Sequence, residues 1–261
     1  MKLSSGIRSV FAVAILGLFT QVGWASTRIT TTVLKISDGD TIQADNPDFD
    51  PSKKGSKRYL KVRFLGMDTP ETDFQKQAQL PWGPEATKHL KELLHLTDAK
   101  LDKGGAVIKG FEPVDRDTGK RVEIVLELHG KDKYDRDLAY VIYQGTNINL
   151  KMMEDGMGFP YLYCDEKRCN KDWEKDGMVT EFVEACKDAR RNKRGFFADA
   201  NPLKETPSEF RRRIGKSKPY QFVGDYDSKK LYKPTDDNKV DPCSVIRFDT
   251  DADAIAHGYK Y

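Results

Sequence analysis

Three short stretches of the chain carry side chains suited to one kind of chemistry. Arg63-Phe64-Leu65-Gly66-Met67-Asp68-Thr69-Pro70-Glu71-Thr72 sets a guanidinium ahead of two carboxylates on one short run of backbone. Asp38-Gly39-Asp40-Thr41 lies upstream of it and Asp132-Lys133-Tyr134-Asp135-Arg136 downstream. Carboxylates are hard oxygen ligands of the kind Ca²⁺ takes at about 2.3–2.6 Å. A planar guanidinium presents paired donors that match phosphate oxygens. Acids that can hold a cation and arginines that can hold a phosphate together suit phosphodiester hydrolysis. The cation polarises a phosphoryl oxygen, and the guanidiniums meet the charge that grows on it.

Taken singly, each stretch has a plainer meaning. Asp-Gly-Asp is a common turn. Asp-Thr-Pro-Glu is a common helix cap or turn. Asp132–Arg136 reads as a solvated hairpin tip. Their joint occurrence is what points to a site.

The elements that must position these residues follow from periodicity. Thr27 to Ile36 is rich in β-branched residues and predicts a strand, with Asp38-Gly39-Asp40 as a turn and Thr41–Ala44 as the return. Residues 45–58 form a long polar loop. Tyr59 to Met67 alternates, with Leu60, Val62 and Phe64 on one face and Lys61 and Arg63 on the other. Pro84 suits a first helical turn, and Ala86, Leu90, Leu93 and Leu94 make an apolar stripe behind it. Leu101–Pro113, Arg121–Leu128 and Leu138–Tyr143 read as strands, and residues 147–155 as a short helix ended by Gly156 or Gly158. A third helix is expected from Val179 to Arg194. The predicted fold class is α+β, mainly β: a five-stranded Greek-key barrel of the oligonucleotide-binding kind (OB-fold) with about three helices. Residues 200–261 are Pro- and Lys-rich and read as a C-terminal extension, irregular or separately folded.

The first 25 residues combine Lys2 and Arg8 with the apolar run Val10–Phe19 and a Gly23-Trp24-Ala25 cleavage pattern. That is the form of a secretory leader, too short to span a bilayer, which needs about 20 apolar residues. The expected divisions are therefore 1–25 leader, 26–199 barrel domain and 200–261 extension, with secretion or periplasmic residence and no membrane association once the leader is cut. Losing Lys2 and Arg8 leaves 42 basic against 41 acidic residues, a net charge of +1. Global charge therefore does not announce nucleic acid, and local patches must carry that argument. Two basic runs could track a phosphate backbone or lie on solvated faces: Arg190, Arg191, Lys193, Arg194, and Arg211, Arg212, Arg213, Lys216, Lys218. Cys164, Cys169, Cys186 and Cys243 favour two disulfides in an exported chain, with three possible pairings, over a zinc site.

Residues 33–199 resemble the staphylococcal nuclease (thermonuclease) family. Beside the three stretches above, Trp82-Gly83-Pro84-Glu85-Ala86, Leu138-Ala139-Tyr140, Asn149 through Gly156, Tyr161-Leu162-Tyr163 and Gly195-Phe196-Phe197 carry the likeness. The resemblance implies Ca²⁺ held by Asp40, Asp68 and the carbonyl of Thr69. It implies Glu71 as general base, Arg63 and Arg136 on the scissile phosphate, Lys133 and Tyr134 near the substrate's phosphate end, and Tyr161 and Tyr163 beside the nucleotide. It further implies a monomeric endonuclease acting on DNA and RNA, single-stranded or locally opened, and leaving 3′-phosphates. Asp135 stands where the family often has glycine, and its carboxylate could compete for Arg136. The competing classes are a non-catalytic OB-fold module that binds nucleic acid or a partner, and a calcium-stabilised structural domain.

Overall fold

The computed structural model describes residues 27–97, 100–101, 107–108, 113–164, 178–215 and 222–261. The expected leader lies outside them. Five strands close a barrel: β1 (Thr27–Asp38), β2 (Thr41–Asp45), β3 (Tyr59–Phe64), β4 (Glu123–Lys131) and β5 (Asp137–Tyr143). The order runs β5-β3-β2-β1-β4, and β4 pairs back onto β5 to complete the ring. All pairings are antiparallel except β3 with β5, where Arg63 stands opposite Leu138. This is the expected OB-fold, mainly β within an α+β whole.

Alternation sets which face is buried. Val62 and Phe64 of β3 point inward with Val33, Ile42, Ala44, Ile124, Leu126, Ala139 and Val141, all essentially inaccessible to water. A side chain such as Phe64 contributes roughly 1.5–3 kcal/mol by that burial. The residue between them, Arg63, is turned to the opposite face. Helix α1 (Trp82–Leu93) closes the barrel with Ala86 and Leu90. Helix α2 (Ile148–Glu154) is capped by Asn147, whose side chain accepts from the amide of Leu150. Helix α3 (Met178–Arg191) follows, slightly shorter than predicted.

One expectation needs correction, and another is narrowed. The span Leu101–Pro113 is not one strand: Lys100–Leu101 pairs antiparallel with Val107–Ile108, and Val114–Asp115 pairs instead with Leu96–Thr97. Leu101 lies opposite Val107 in an antiparallel pair, which one continuous strand cannot do.

Of the two forms expected after residue 199, irregular or separately folded, the described residues take the folded one. They hold helix α4 (Pro207–Gly215), strands β7 (Phe222–Asp225), β8 (Leu231–Tyr232) and β9 (Val245–Phe248), and helix α5 (Asp251–Ala256). Strand β6 (Leu162–Cys164), which follows the barrel's second helix, lies parallel to β9, giving a sheet of order β6-β9-β7-β8. Leu162, Val179, Val183, Leu231, Ile246, Phe248, Ala254 and Tyr259 form its core. Helix α3 thus serves both units, with Phe182 in the barrel core and Val183 in the extension's. A disulfide between Cys186 of α3 and Cys243 staples the two, across 57 residues of sequence. Of the other cysteines, Cys169 and the side chain of Cys164 fall outside the described residues. Among the described residues no helix is long and apolar enough to cross a membrane.

Candidate active site

The site is built where three connections meet on the polar side of β3. The β1–β2 hairpin turns through Gly39-Asp40 and is registered so that Thr41 faces Arg63. The Phe64 amide donates to the Asp40 carbonyl at 2.8 Å, fixing the end of β3 to that turn. Gly39 allows the close approach: a Cβ there would stand 2.8 Å from Thr69 Oγ1 and 3.0 Å from Ala86 Cβ. The chain past β3 is held from both sides, because buried Asn149 donates to the Leu65 carbonyl at 2.9 Å and accepts from the Val141 amide at 3.0 Å. Asp68 then bridges antiparallel to Phe159.

These constraints bury polar groups. Asp40 is 1% exposed, and Asp68 and Thr69 are each 2% exposed. Asp40 accepts from the Thr69 amide at 2.8 Å and from Thr41 Oγ1 at 3.0 Å. Arg63 spans the two aspartates: Nη1 pairs with Asp40, and Nη2 donates to Asp68 Oδ1 at 2.6 Å and to the Met67 carbonyl at 3.1 Å. Glu71 is anchored by its backbone, its amide donating to Gln79 Oε1 at 3.0 Å and its carbonyl accepting from the Gln79 amide at 2.9 Å.

A fourth connection supplies a residue that the sequence reading placed only in a basic run. Arg211, on α4, forks onto Asp68 with Nη1–Oδ1 at 2.9 Å and Nη2–Oδ2 at 2.6 Å. The same Nη1 pairs with Glu71 Oε1. Its guanidinium also sits 5.7 Å from the centre of the Tyr161 ring, and Arg247 sits 5.6 Å from the same ring.

The electrostatics follow from burial and these pairs. Burial alone would raise the Asp68 carboxyl, but Arg211 and Arg63 outweigh it and hold the group below the ordinary aspartate range. Glu71 goes the other way: burial raises it, Arg211 opposes that, and the charge of Asp68 adds to the rise. Burial also raises Asp38, against the attraction of Arg63 and, more weakly, Arg136. Arg211 is pushed up by Asp68 and Glu71 despite the opposing effect of its own burial.

Arg136 belongs to a neighbouring group at the β4–β5 hairpin. Its Nε donates to Asp132 Oδ2 at 2.7 Å and its amide to Oδ1 at 3.0 Å. Burial would raise Asp132, and these bonds lower it instead. Lys133 and Tyr134 stand exposed at the hairpin tip, with the Lys133 ammonium 5.2 Å and the Arg136 guanidinium 5.5 Å from the Tyr134 ring centre. Asp135 has φ 61°, the left-handed conformation that glycine takes without cost. It does not pair with Arg136: it pairs with Lys57 of the long polar loop and lies 3.6 Å from Lys131.

The structure therefore brings Asp40, Asp68, Thr69, Glu71 and Arg63 together, with Tyr161 beside them through its amide bond to the Gly66 carbonyl at 2.8 Å. It keeps Lys133 and Tyr134 at a separate tip. Tyr163 is registered opposite Arg247, and its side chain lies outside what is described. His89 and His95 pair with Asp155 at 2.8 Å and Asp115 at 3.4 Å.

Among the described residues no three acidic, His or Cys side chains converge on one point that could hold a metal ion. The donor set nevertheless fits a hard divalent cation. Asp40, Asp68 and Glu71 offer carboxylate oxygens, and two guanidiniums now meet the charge that a cation would meet.

Comparison with known proteins gives a consistent answer. Residues 61–199 match the family described as Staphylococcal nuclease homologue. An uncharacterised endonuclease of Haemophilus influenzae is 30% identical over 206 residues, 78% of this chain and 86% of that protein. Endonuclease YhcR of Bacillus subtilis is 27% identical over 234 residues, 87% of this chain but only 16% of the relative's length. The thermonuclease of Staphylococcus hyicus is 30% identical over 134 residues, 51% of this chain and 60% of the relative.

Proposed function

The chain belongs to the staphylococcal nuclease family, and from that membership and the geometry above we propose that it hydrolyses the phosphodiester bonds of DNA and RNA. The observation that carries the reading is the seating of half-buried Arg63 between buried Asp40 and Asp68, with Glu71 held beside Asp68 by Gln79. A guanidinium kept among carboxylates at the barrel rim is costly unless the group has a use beyond stability.

Arg63 and Arg136 bind the non-bridging oxygens of the scissile phosphate, Arg63 from its strand and Arg136 from a hairpin seated by Asp132. Glu71, made more basic by burial, takes a proton from the attacking water. The water oxygen forms the new bond to phosphorus, the bond from phosphorus to the 5′-oxygen breaks, and that oxygen takes up a proton as it leaves. The products are a 3′-phosphate and a 5′-hydroxyl. The guanidiniums hold the charge on the phosphoryl oxygens as it develops. Asp40, Asp68 and the Thr69 carbonyl would hold Ca²⁺, which supplies Lewis-acid polarisation of the phosphoryl group. Tyr161 lines the nucleotide side, a role the family likeness also gives Tyr163, and Lys133 and Tyr134 meet the far phosphate. The protein acts as a monomer, exported by its leader to the periplasm or the medium.

Digestion of plasmid DNA and of RNA tests this, with Ca²⁺, with chelator, and with Glu71→Gln. Cleavage that needs the cation and is lost in Glu71→Gln is the expected result. Near-wild-type digestion by Glu71→Gln would overturn the assignment. Tight binding of DNA without cleavage would favour the non-catalytic module.

A further inference from the structure

Arg211 comes from outside the part of the chain that matches the family, yet it contacts the site's acids more fully than any other cation. It reaches Asp68 across 143 residues of sequence and Glu71 across 140. Its position is not that of a loose tail. The first turn of α4 is closed by a reciprocal box, the Thr206 amide donating to Glu209 Oε2 at 2.6 Å and the Glu209 amide to Thr206 Oγ1 at 3.3 Å. Phe210 is buried beside it. Gln79, which holds the Glu71 backbone, also donates to the Glu205 carbonyl at 3.0 Å, so one buried amide fixes the base's loop and the start of α4 together. The indole of Trp82 on α1 donates to the Asn201 carbonyl at 2.9 Å.

We propose that Arg211 is a built-in competitor of the divalent cation: the extension seats a guanidinium on Asp68 and Glu71, and cation binding must displace it. This rests on the metal-dependent nuclease reading and extends it to residues outside the family region. Charge supports it. Asp38, Asp40, Asp68 and Glu71 face the two guanidiniums of Arg63 and Arg211, which partly neutralise the buried acids. Both Asp68 oxygens are taken by the Arg211 fork, and Oδ1 also accepts from Arg63. Three of the carboxylate's about four lone-pair sites are thus taken, and a cation on the remaining one, at Oδ2, would stand against the like charge of a guanidinium held on the same oxygen. While it sits on the acids the guanidinium also lies 5.7 Å from the centre of the Tyr161 ring.

The test is calorimetric titration of Ca²⁺ into the full chain without nucleic acid. Arg211→Gln should bind Ca²⁺ about tenfold tighter or more, since an inactive form populated about nine times in ten lowers an apparent affinity by that factor. Arg211→Lys, which keeps charge but loses the fork, should fall between the two. Arg213→Gln removes one charge from the same helix, from a residue paired with Glu205, and controls for general electrostatics. Equal affinity in Arg211→Gln and wild type, with both folded by circular dichroism, overturns the proposal and leaves the nuclease reading standing. Equal tightening in Arg213→Gln also overturns it. Failure of every variant to bind Ca²⁺ overturns both.

Discussion

Asp135 is paired with Lys57, and the Arg136 guanidinium next to it in sequence is paired with Asp132. The long polar loop at 45–58 therefore supplies the partner of the acid that stands where the resemblance leads one to expect glycine. The loop delivers a lysine to the acid, and Arg136, proposed to bind phosphate, keeps its own carboxylate. Lys57 and, to a lesser degree, Lys131 hold the exposed Asp135 carboxyl below its ordinary range.

It follows that Asp132 and Asp135 differ in consequence although three residues apart. Asp132→Ala frees Arg136 from both of its bonds and should lower cleavage about tenfold or more, the scale for a misplaced charge-stabilising donor. Asp135→Gly relieves a left-handed backbone and loses only two solvent-exposed pairs, with Lys57 and Lys131, so cleavage and melting temperature should change little. Steady-state digestion of one DNA substrate by the two variants checks this. A large loss in Asp135→Gly would contradict the assignment of partners.

The acid limb of stability gives a second check on the same pair. Asp132 is lowered in the folded protein, so it binds protons less readily there than in the unfolded chain. Its contribution is complete above the ordinary aspartate pKa and is lost as pH falls through the lower folded value. Asp132→Asn lacks that contribution. Its melting temperature should fall less steeply than wild type as pH drops below the usual carboxylate range, and parallel slopes would refute the argument.

Arg63→Lys should be severe despite keeping the charge. The fork that reaches Asp40, Asp68 and the Met67 carbonyl at once cannot be reproduced by one ammonium. Cleavage should drop roughly 10²–10³-fold, the scale for losing one oriented donor to the transition state. Kinetics on a short oligonucleotide would read it, and a loss under tenfold would show that the fork is not needed.

How far the sequence alone revealed this arrangement depends on range. The step from Arg63 to Glu71 was legible because one strand and one proline turn fix both ends, and Asp40 because a hairpin turn has a recognisable composition. The barrel was legible because its strands alternate over five to twelve residues. The extension was not, because its strands are two to four residues long and leave no period to read. Arg211 was visible only as one of three consecutive arginines. Which of them meets Asp68 depends on the face α4 presents, and that is set by Phe210, the Thr206 box and Gln79 rather than by any local pattern.

The Cys186–Cys243 bridge should carry a measurable share of stability. It closes a long loop between α3 and the extension, and such a bridge contributes about 2–4 kcal/mol. Urea unfolding of Cys243→Ser against the oxidised wild type should show a loss of that size. A midpoint unchanged by the substitution would mean the packing of Leu162, Val183, Ile246 and Phe248 holds the extension unaided.

Gly39 offers a test of the site's architecture rather than its charges. The residue has no side chain, and the turn it occupies lies against Thr69 and Ala86. Gly39→Ala puts a methyl 2.8 Å from Thr69 Oγ1 and 3.0 Å from two carbons, one of them Ala86 Cβ on α1. Neither neighbour is a flexible chain end, so the hairpin must move away. Overpacking of this kind costs about 1–3 kcal/mol. The displacement falls on Asp40, whose carboxylate takes the Thr69 amide at 2.8 Å, and so on the spacing between Asp40 and Asp68. Cleavage should therefore fall by more than the stability loss explains, and added Ca²⁺ should recover part of it. A variant that is destabilised but cleaves normally at a temperature where it is folded would show that the approach of this turn to Thr69 serves packing alone.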